Sequence, residues 1–546
     1  MRDRLAVCAG IAALTLLSYF QFPGHTFLGS DTQIYIPMLQ HLWDPSSLAR
    51  DLVATKPHLS FTLYDEITIA LRWITHSSFK AVLIAQQLIF RACEILGVYL
   101  LAASFPLARR MAMLVAALFT LGATIAGPAV LTLEYEPVPR AFAIGLIFLA
   151  IGLVAQEHLM LADIAAAAAF LYHPPTVWAF WALYLWLTLH KRDYRDLWPL
   201  AIGIAVLFIS SQFQPGVSDK QVFFNRVGPE LEKLQRMRAA YNWVSTWPHA
   251  LIWQYVFLWI VSLVAFWRVR PKAARLFLIG MPAIGLLSIP LSYLLLDKLK
   301  WGLIPQFQPA RATLFITAFA VILSAAAGIL AAERKQWIES VAWFTIMIAV
   351  PVSARIFNIL LPDLTNALVR RTLILTLILA SALTCVVYMQ RFRSMVSLPL
   401  LAAAALAPFF LLPGIGQVRN YTIPDLSGVE NLARFARSST PKDAVFLFGD
   451  TGTSPLPSIF RAESERAVYV DWKAGGQMNF NESLAMEWWQ RWQNTNALRF
   501  DPSQAARLQG LGIDYLVLSS AHRLSGQQPV YETNGLTIYF VSSPTL

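Results

Sequence analysis

The sequence has few charged residues and few cysteines. Only 14% of its 546 residues are Asp, Glu, Lys or Arg, whereas a soluble globular domain carries about 25%. This composition excludes an ordinary soluble globular protein of this length. The three cysteines, Cys8, Cys93 and Cys385, all lie inside apolar stretches, where they act as small hydrophobic residues. We therefore expect no disulfide bonds to hold the soluble parts of the chain together.

Hydrophobic residues dominate instead. They make up 57% of the chain, and the mean hydropathy is +0.53, so most of the protein is expected to face lipid. The formal net charge is +11. The Lys and Arg residues are concentrated in short turns between apolar runs and form no single basic patch. We therefore expect these charges to lie at the surface of the lipid bilayer, and we expect no nucleic acid as a partner.

Thirteen apolar runs approach the length that crosses a membrane, which is about 20 residues for a helix. No small-x-small cleavage motif precedes Pro23, so the first run is expected to stay as an uncleaved span. The runs lie near residues 5–22, 81–105, 111–133, 141–155, 159–172, 176–189, 197–212, 250–267, 276–296, 312–332, 337–361, 372–389 and 396–412.

The basic residues of the turns predict the orientation, because Lys and Arg near helix ends resist translocation. The N-terminus is expected in the cytoplasm and the C-terminal tail outside. Arg370-Arg371 falls on the outer side by this count and is the discordant pair. The turns placed in the cytoplasm hold Arg109-Arg110, Lys191-Arg192 with Arg195, Arg268 with Arg270, Lys272 and Arg275, Arg334-Lys335, and Arg391 with Arg393.

The chain is expected to divide into a membrane domain and an outer domain. Residues 1–416 would form the membrane domain, with external loops at 23–80 and 213–249, and residues 417–546 the extracytoplasmic domain. Alternating helices and strands in this tail predict a small α/β fold. The pattern predicts strands near 444–448, 467–470 and 515–518, a Trp-rich helix near 482–492, and a hairpin turn at Asn534-Gly535.

Carboxylates beside the membrane are candidates for function, because charge is costly there. Asp31 follows the first span, where a Ser-Asp pair is also typical of a helix N-cap. Glu134 and Glu136 stand two residues apart in an extended, proline-fixed segment. They point the same way, which suits a divalent cation such as Mg²⁺ or Mn²⁺. A loop ion-paired with Arg140 is the alternative.

Two further candidates fall on the same predicted outer side. His173 lies between two spans and precedes two prolines, a position that is equally typical of a structural histidine. Arg311 comes just before the tenth span, with Lys298 and Lys300 upstream. An Arg at this depth can donate two hydrogen bonds to a phosphate. A side chain that snorkels to the membrane interface explains the position of Arg311 equally well.

With Asp31 after the first span, Glu134-Tyr135-Glu136 at the outer end of the third, about thirteen spans and an outer tail, the chain resembles the GT-C class of membrane glycosyltransferases. This class includes oligosaccharyltransferase catalytic subunits, protein O-mannosyltransferases and the aminoarabinose transferase. Residues 440–447 and 470–473 also resemble the tail of an uncharacterised bacterial membrane family related to the class. Trp488-Trp489 is followed by Gln490. The Trp-Trp-Asp signature of oligosaccharyltransferases is therefore absent, and asparagine glycosylation is not expected.

The resemblance implies inverting transfer of a hexose or pentose from a polyprenyl-phosphate or polyprenyl-pyrophosphate donor. The acceptor would be a glycan, lipid or protein at the outer face of the bacterial inner membrane. Asp31 would be the general base. The other implied roles are a cation-binding or donor-orienting group of Glu134, Glu136 and His173, and a donor-phosphate group of Arg311, Arg140, Lys298 and Lys300.

Two other functions fit parts of the sequence. A transporter or flippase for a lipid-linked or anionic substrate would place charges within spans. Arg91 and Glu94 lie three residues apart on one face of the second span, where we expect them to neutralise each other. A non-enzymatic assembly protein would need neither these charges nor the outer carboxylates.

Overall fold

The computed structural model describes residues 2–55, 62–192, 194–214, 225–390, 394–421, 423–426, 428–478, 480–496, 504–533 and 535–541. Predictions made for Arg391, Arg393 and Asn534 lie outside this set. The described chain is mostly helical.

Helices fill the first three quarters of the chain. Those up to residue 211 are α1 (Arg2–Phe20), α2 (Thr32–Trp43), α3 (Tyr64–Thr75), α4 (Phe79–Ala103), α5 (Arg109–Phe119), α6 (Pro139–Ala155), α7 (Leu159–Tyr172), α8 (Pro174–Lys191) and α9 (Trp198–Ser211). Those that follow are α10 (Pro229–Arg238), α11 (His249–Val269), α12 (Arg275–Ser292), α13 (Ile304–Phe307), α14 (Thr313–Glu333), α15 (Trp337–Val352), α16 (Phe357–Leu360), α17 (Ala367–Met389) and α18 (Ser394–Gly414).

Five helical segments of the described chain are long and apolar enough to cross a membrane, by length and composition. Five shorter apolar helices accompany them. The chain therefore has the make-up of a multi-pass membrane protein, while the predicted number of thirteen spans stays a prediction. The long segments are Phe79–Ala103, His249–Val269, Arg275–Lys298, Ile304–Glu333 and Ala367–Met389.

The apolar run 111–133 does not form one helix, and the prediction of a single span there is wrong. Helix α5 ends at Phe119, and the rest turns back as a short antiparallel hairpin of β1 (Thr124–Ile125) and β2 (Val130–Leu131). Gly122 and Gly127 adopt φ values of 69° and 87°, which a glycine adopts easily and a helix cannot contain. The hairpin leads directly into Glu134 and Glu136.

Helix α15 is also shorter than the run 337–361 predicted. It ends at Val352, and Arg355 follows it outside any helix. Pro351 occupies its last turn, where proline removes a backbone donor and favours the end of a helix.

Close backbone packing joins α4 to α6. A Cβ atom added at Gly152 would lie 2.3 Å from the carbonyl oxygen of Gly97, and one added at Gly97 would lie 2.2 Å from that of Phe148. Small residues at such an interface let two helices approach closely. Helix α14 lies at the centre of the bundle and is buried along almost its whole length.

The C-terminal region, defined here as the described residues from 428 onward, contains a five-stranded sheet of order β4-β3-β5-β7-β6. Strand β3 is parallel to β4 and β5, while β7 is antiparallel to β5 and β6. The strands are β3 (Val445–Phe448), β4 (Ala467–Val468), β5 (Tyr515–Ser519), β6 (Tyr531–Thr533) and β7 (Leu536–Phe540); the helices are α19 (Val429–Ser439), α20 (Leu456–Ser464), α21 (Ala474–Met478), α22 (Glu482–Asn496) and α23 (Ala505–Gly510).

The predicted strands β3, β4 and β5 and the predicted Trp-rich helix α22 are confirmed in position. Gly535 has a φ of 90°, as a tight turn between β6 and β7 requires.

We expect Gly152→Ala to lower the melting temperature of the detergent-solubilised protein, because the added methyl group meets backbone that cannot rotate away. The cost of such overpacking is about 1–3 kcal/mol. Gly414→Ala is the matched control, since a Cβ atom there meets nothing within 4 Å. Equal melting temperatures for the two variants would show that the α4–α6 contact is looser than described.

Candidate active site

A cavity of about 520 Å³ lies between the first helices of the chain and the C-terminal region. It is bordered by the start of α2, the N-terminal ends of α6 and α8, and the turn before α21. Aromatic and proline residues form much of its wall. The titratable Asp, His, Arg and Lys side chains that line it are Asp31, Arg140, His173, Arg238, Arg311 and Lys473.

Asp31 occupies the N-cap position of α2, yet its side chain makes no capping hydrogen bond. Its carboxylate instead accepts from Arg140 Nη1 at 2.7 Å and from Lys473 Nζ at 2.8 Å. Burial raises the pKa of Asp31, but the charges of Lys473 and Arg140 outweigh it and hold this pKa well below the usual range. Asp31 is therefore ionised at neutral pH.

Glu136 takes the capping role that Asp31 leaves open. Its two carboxylate oxygens accept from the backbone N–H groups of Gly29, Ser30 and Asp31 at 2.6–2.8 Å. The Thr32 hydroxyl donates a further bond of 2.8 Å. A carboxylate at a helix N-terminus is stabilised by these donors and by the helix dipole. Glu136 thus fixes the loop that presents Asp31.

Glu134 holds the guanidinium group of Arg140. Its oxygens accept from Arg140 Nε at 2.7 Å and from Nη2 at 3.3 Å. Arg140 lies at the start of α6 and bridges Glu134 and Asp31. The backbone carbonyl of Glu134 also accepts from Arg91 Nη2 at 2.7 Å, and Arg91 donates to the carbonyl of Gly24 at 3.3 Å as well. Arg91 therefore supports this loop.

His173 lines the cavity at the N-cap of α8, with Nδ1 2.7 Å from the Thr176 hydroxyl. Burial lowers its pKa well below the usual value, and the charges of Arg311 and Arg140 lower it further. The imidazole is therefore neutral at neutral pH.

Arg311 and Arg238 reach the cavity from other parts of the chain. Arg311 belongs to the 3-10 segment Pro309–Ala312, and its Nε is buried with no hydrogen-bond partner among the described residues. The Nε of Arg238 is in the same state. A buried cationic donor without an acceptor is costly. Both groups are therefore suited to receive an anion.

The cation predicted at Glu134, Glu136 and His173 does not fit their described geometry. The Glu136 oxygens are occupied by N–H and O–H donors, and those of Glu134 face Arg140. Among the described residues, no group of three or more His, Cys, Asp or Glu side chains is arranged to hold a metal ion.

Lys298 and Lys300 do not line the cavity. Lys300 Nζ lies 2.5 Å from a carboxylate oxygen of Glu232, and Lys298 Nζ lies 5.3 Å from the ring centre of Tyr293. Their predicted contact with a phosphate finds no support in this arrangement.

Sequence reasoning did not identify Arg238 or Lys473 as site residues. Arg238 ends an amphipathic helix with other basic residues, and Lys473 stands 442 positions after Asp31. Neither position has a local motif that distinguishes it from a solvated charge.

Comparisons with known proteins give a limited match. A family model described as a domain of unknown function (DUF6798) matches residues 427–495. The chain matches none of the curated proteins. It is similar to the crystal structure of ArnT from Cupriavidus metallidurans in the apo state, at 14% identity and a TM-score of 0.49 over 100% of both chains. For the structure of that protein bound to undecaprenyl phosphate, the values are 14% and 0.48 over 99% of both chains.

We expect Glu136→Ala to destabilise the protein, because the N–H groups of Gly29, Ser30 and Asp31 lose their acceptor. Leaving such donors unpaired costs about 1–3 kcal/mol, which a melting curve in detergent detects. Glu230→Ala, at an exposed carboxylate in the first turn of α10, is the control. An unchanged melting temperature for Glu136→Ala would contradict the capping role.

Proposed function

We propose that the protein is an integral membrane glycosyltransferase that takes a sugar from a polyprenyl-phosphate or polyprenyl-pyrophosphate donor. The reaction would occur at the outer face of the bacterial inner membrane, on the side to which the basic turns assign the C-terminal region. The cavity around Asp31 is the proposed site.

The charge of the cavity carries this proposal. Four lining cations, Arg140, Arg238, Arg311 and Lys473, face a single lining carboxylate, Asp31. Glu134 lies behind Arg140 and offsets part of that charge. Two of the guanidinium groups keep a buried donor without an acceptor among the described residues. Such a site favours an anion with more than one charge, as a lipid-linked phosphate or pyrophosphate has.

In this proposal Asp31 acts as the general base. It is ionised, partly exposed to the cavity, and flanked by the cations that would hold the leaving group. The acceptor hydroxyl would give its proton to Asp31 while its oxygen forms a bond to the anomeric carbon. The bond from that carbon to the phosphate oxygen would break, and its electron pair would stay on the phosphate. Attack from the opposite face inverts the anomeric configuration.

The cations stabilise the departing phosphate in this scheme. Negative charge grows on the phosphate oxygens as the bond breaks, and fixed guanidinium groups need no rearrangement to meet it. Tyr35, Tyr135 and Tyr241 also line the cavity. Their hydroxyl groups are suited to hydrogen bonds with a sugar.

We expect Asp31→Asn to reduce sugar transfer about 100-fold or more, because the amide cannot accept the proton. The assay uses the full-length protein in proteoliposomes with a panel of undecaprenyl-phosphate-linked and undecaprenyl-pyrophosphate-linked pentoses and hexoses. Formation of the sugar-free carrier lipid is measured. Asp44→Asn is the control, since Asp44 pairs with Lys442 at the surface, away from the cavity. Equal turnover by wild type and Asp31→Asn would show that Asp31 is not the general base.

Arg311→Gln should have opposite effects on the protein alone and on its complex. Without ligand, the variant should melt at the same or a higher temperature, because a buried charge with an unpaired donor is removed. Added undecaprenyl phosphate should raise the melting temperature of the wild type and raise that of the variant much less. A variant that melts much lower without ligand, yet responds fully to the lipid, would assign Arg311 to structure and not to binding.

A further inference from the structure

The C-terminal region supplies part of the cavity wall. Lys473, Gly476, Gln477 and Phe480 line it. Lys473 Nζ donates to Asp31 Oδ1 at 2.8 Å and to the Ser30 hydroxyl at 3.1 Å. Asp31, at the start of α2, is therefore in direct contact with a residue of the C-terminal region.

A buried ion-pair network fixes the turn that carries Lys473. Arg461 of α20 is 1% exposed and donates to the carboxylate of Asp51 at 2.8 Å and to that of Asp471. The other Asp471 oxygen accepts from the backbone N–H of Ala474 at 2.9 Å. Removing one partner would leave a buried charge uncompensated. The turn that carries Lys473 is thus tied through Arg461 to Asp51, in the loop that follows α2. Lys473 itself contacts the loop that precedes α2.

A second contact joins the same turn to another wall of the cavity. The guanidinium group of Arg238 lies 4.0 Å from the ring centre of Trp472 and donates to its backbone carbonyl. Trp472 therefore positions Arg238, and the next residue of the same turn is Lys473. Two of the cations of the cavity depend on the C-terminal region for their place.

We propose that Lys473 is a binding residue for the anionic phosphate of the donor, and that the bound phosphate replaces Asp31 as the ion-pair partner of Lys473. This inference rests on the proposed function. Lys473 has three N–H donors on a flexible stem, so it can exchange one anion for another with a small movement. In the described structure it stabilises the ionised carboxylate. Asp31 becomes a stronger base once that bond is lost.

The exchange couples donor binding to base activation. Asp31 is a weak base while Lys473 and Arg140 both hold it, so it would accept a proton poorly before the donor arrives. A phosphate close to Lys473 competes for the same N–H groups and draws them away. The region 427–495, which contains Lys473, Arg461 and Asp471, then contributes directly to the site.

Binding of undecaprenyl phosphate to the full-length protein in nanodiscs tests this exchange. Lys473→Gln should weaken binding about tenfold or more, as expected for loss of one charge-assisted hydrogen bond. Lys473→Arg should retain most of the affinity. Lys442→Gln is the matched control, because Lys442 forms a similar ion pair at 2.9 Å with Asp44 but does not line the cavity.

Asp31→Asn supplies an independent measurement on a chain that keeps Lys473. Because the amide competes less for Lys473 than the carboxylate does, this variant should bind undecaprenyl phosphate more tightly than the wild type. It carries the test should Lys473→Gln fail to fold. Loss of the Asp31 charge also favours an anion by itself, so the part of the gain that depends on Lys473 is the part absent from the double variant Asp31→Asn/Lys473→Gln. If Lys473 were merely structural, this double variant would gain as much affinity over Lys473→Gln as Asp31→Asn gains over the wild type.

The outcomes separate the two proposals. Wild-type binding together with undiminished binding by Lys473→Gln would overturn the role of Lys473 and leave the proposed function standing. Wild-type binding with no gain in affinity for Asp31→Asn would overturn the exchange. Failure of the wild type to bind undecaprenyl phosphate at all, with the neutral alcohol undecaprenol as reference, would overturn the proposed function and this inference with it.

Discussion

The paired charges of Asp31 hold the described site together. Its carboxylate forms ion pairs with Arg140 at the start of α6 and with Lys473 of the C-terminal region. Its backbone N–H donates a hydrogen bond to Glu136. Three segments distant in sequence therefore meet at one residue beside the first helix. Because each partner is itself fixed by a buried ion pair or helix end, Asp31 has little freedom to turn elsewhere.

This arrangement divides the acidic residues by role. Glu134 and Glu136 are two positions apart, yet Glu134 orients a guanidinium group and Glu136 caps a helix. Neither faces the cavity directly. Asp31 is the one lining carboxylate among the described cavity residues, and the cations that surround it outnumber it. The site is therefore basic around a single carboxylate, as the proposed transfer from a phosphate donor would require.

The sequence predicts much of the local structure and part of the site. The strands at Val445–Phe448 and Tyr515–Ser519 follow from short runs of β-branched and aromatic residues. The run 111–133 misleads because its composition is apolar throughout, whereas Gly122 and Gly127 turn the backbone into a hairpin. A hydropathy profile does not detect that turn.

The residues of the site differ in how far the sequence reveals them. Asp31, Arg140 and Arg311 are candidates because a charge next to an apolar run is costly and needs a reason. Lys473 has no such neighbourhood, and only the network of Arg461 with Asp51 and Asp471 brings it to the cavity. Contacts of this kind depend on tertiary packing and have no sequence period.

The most direct test of the central claim is an electron cryomicroscopy structure of the full-length protein with undecaprenyl phosphate. We expect phosphate density inside the cavity, within hydrogen-bonding distance of Arg311 and Lys473, and Asp31 released from Lys473. Phosphate density at another place on the protein, with the Asp31–Lys473 ion pair intact, would contradict it.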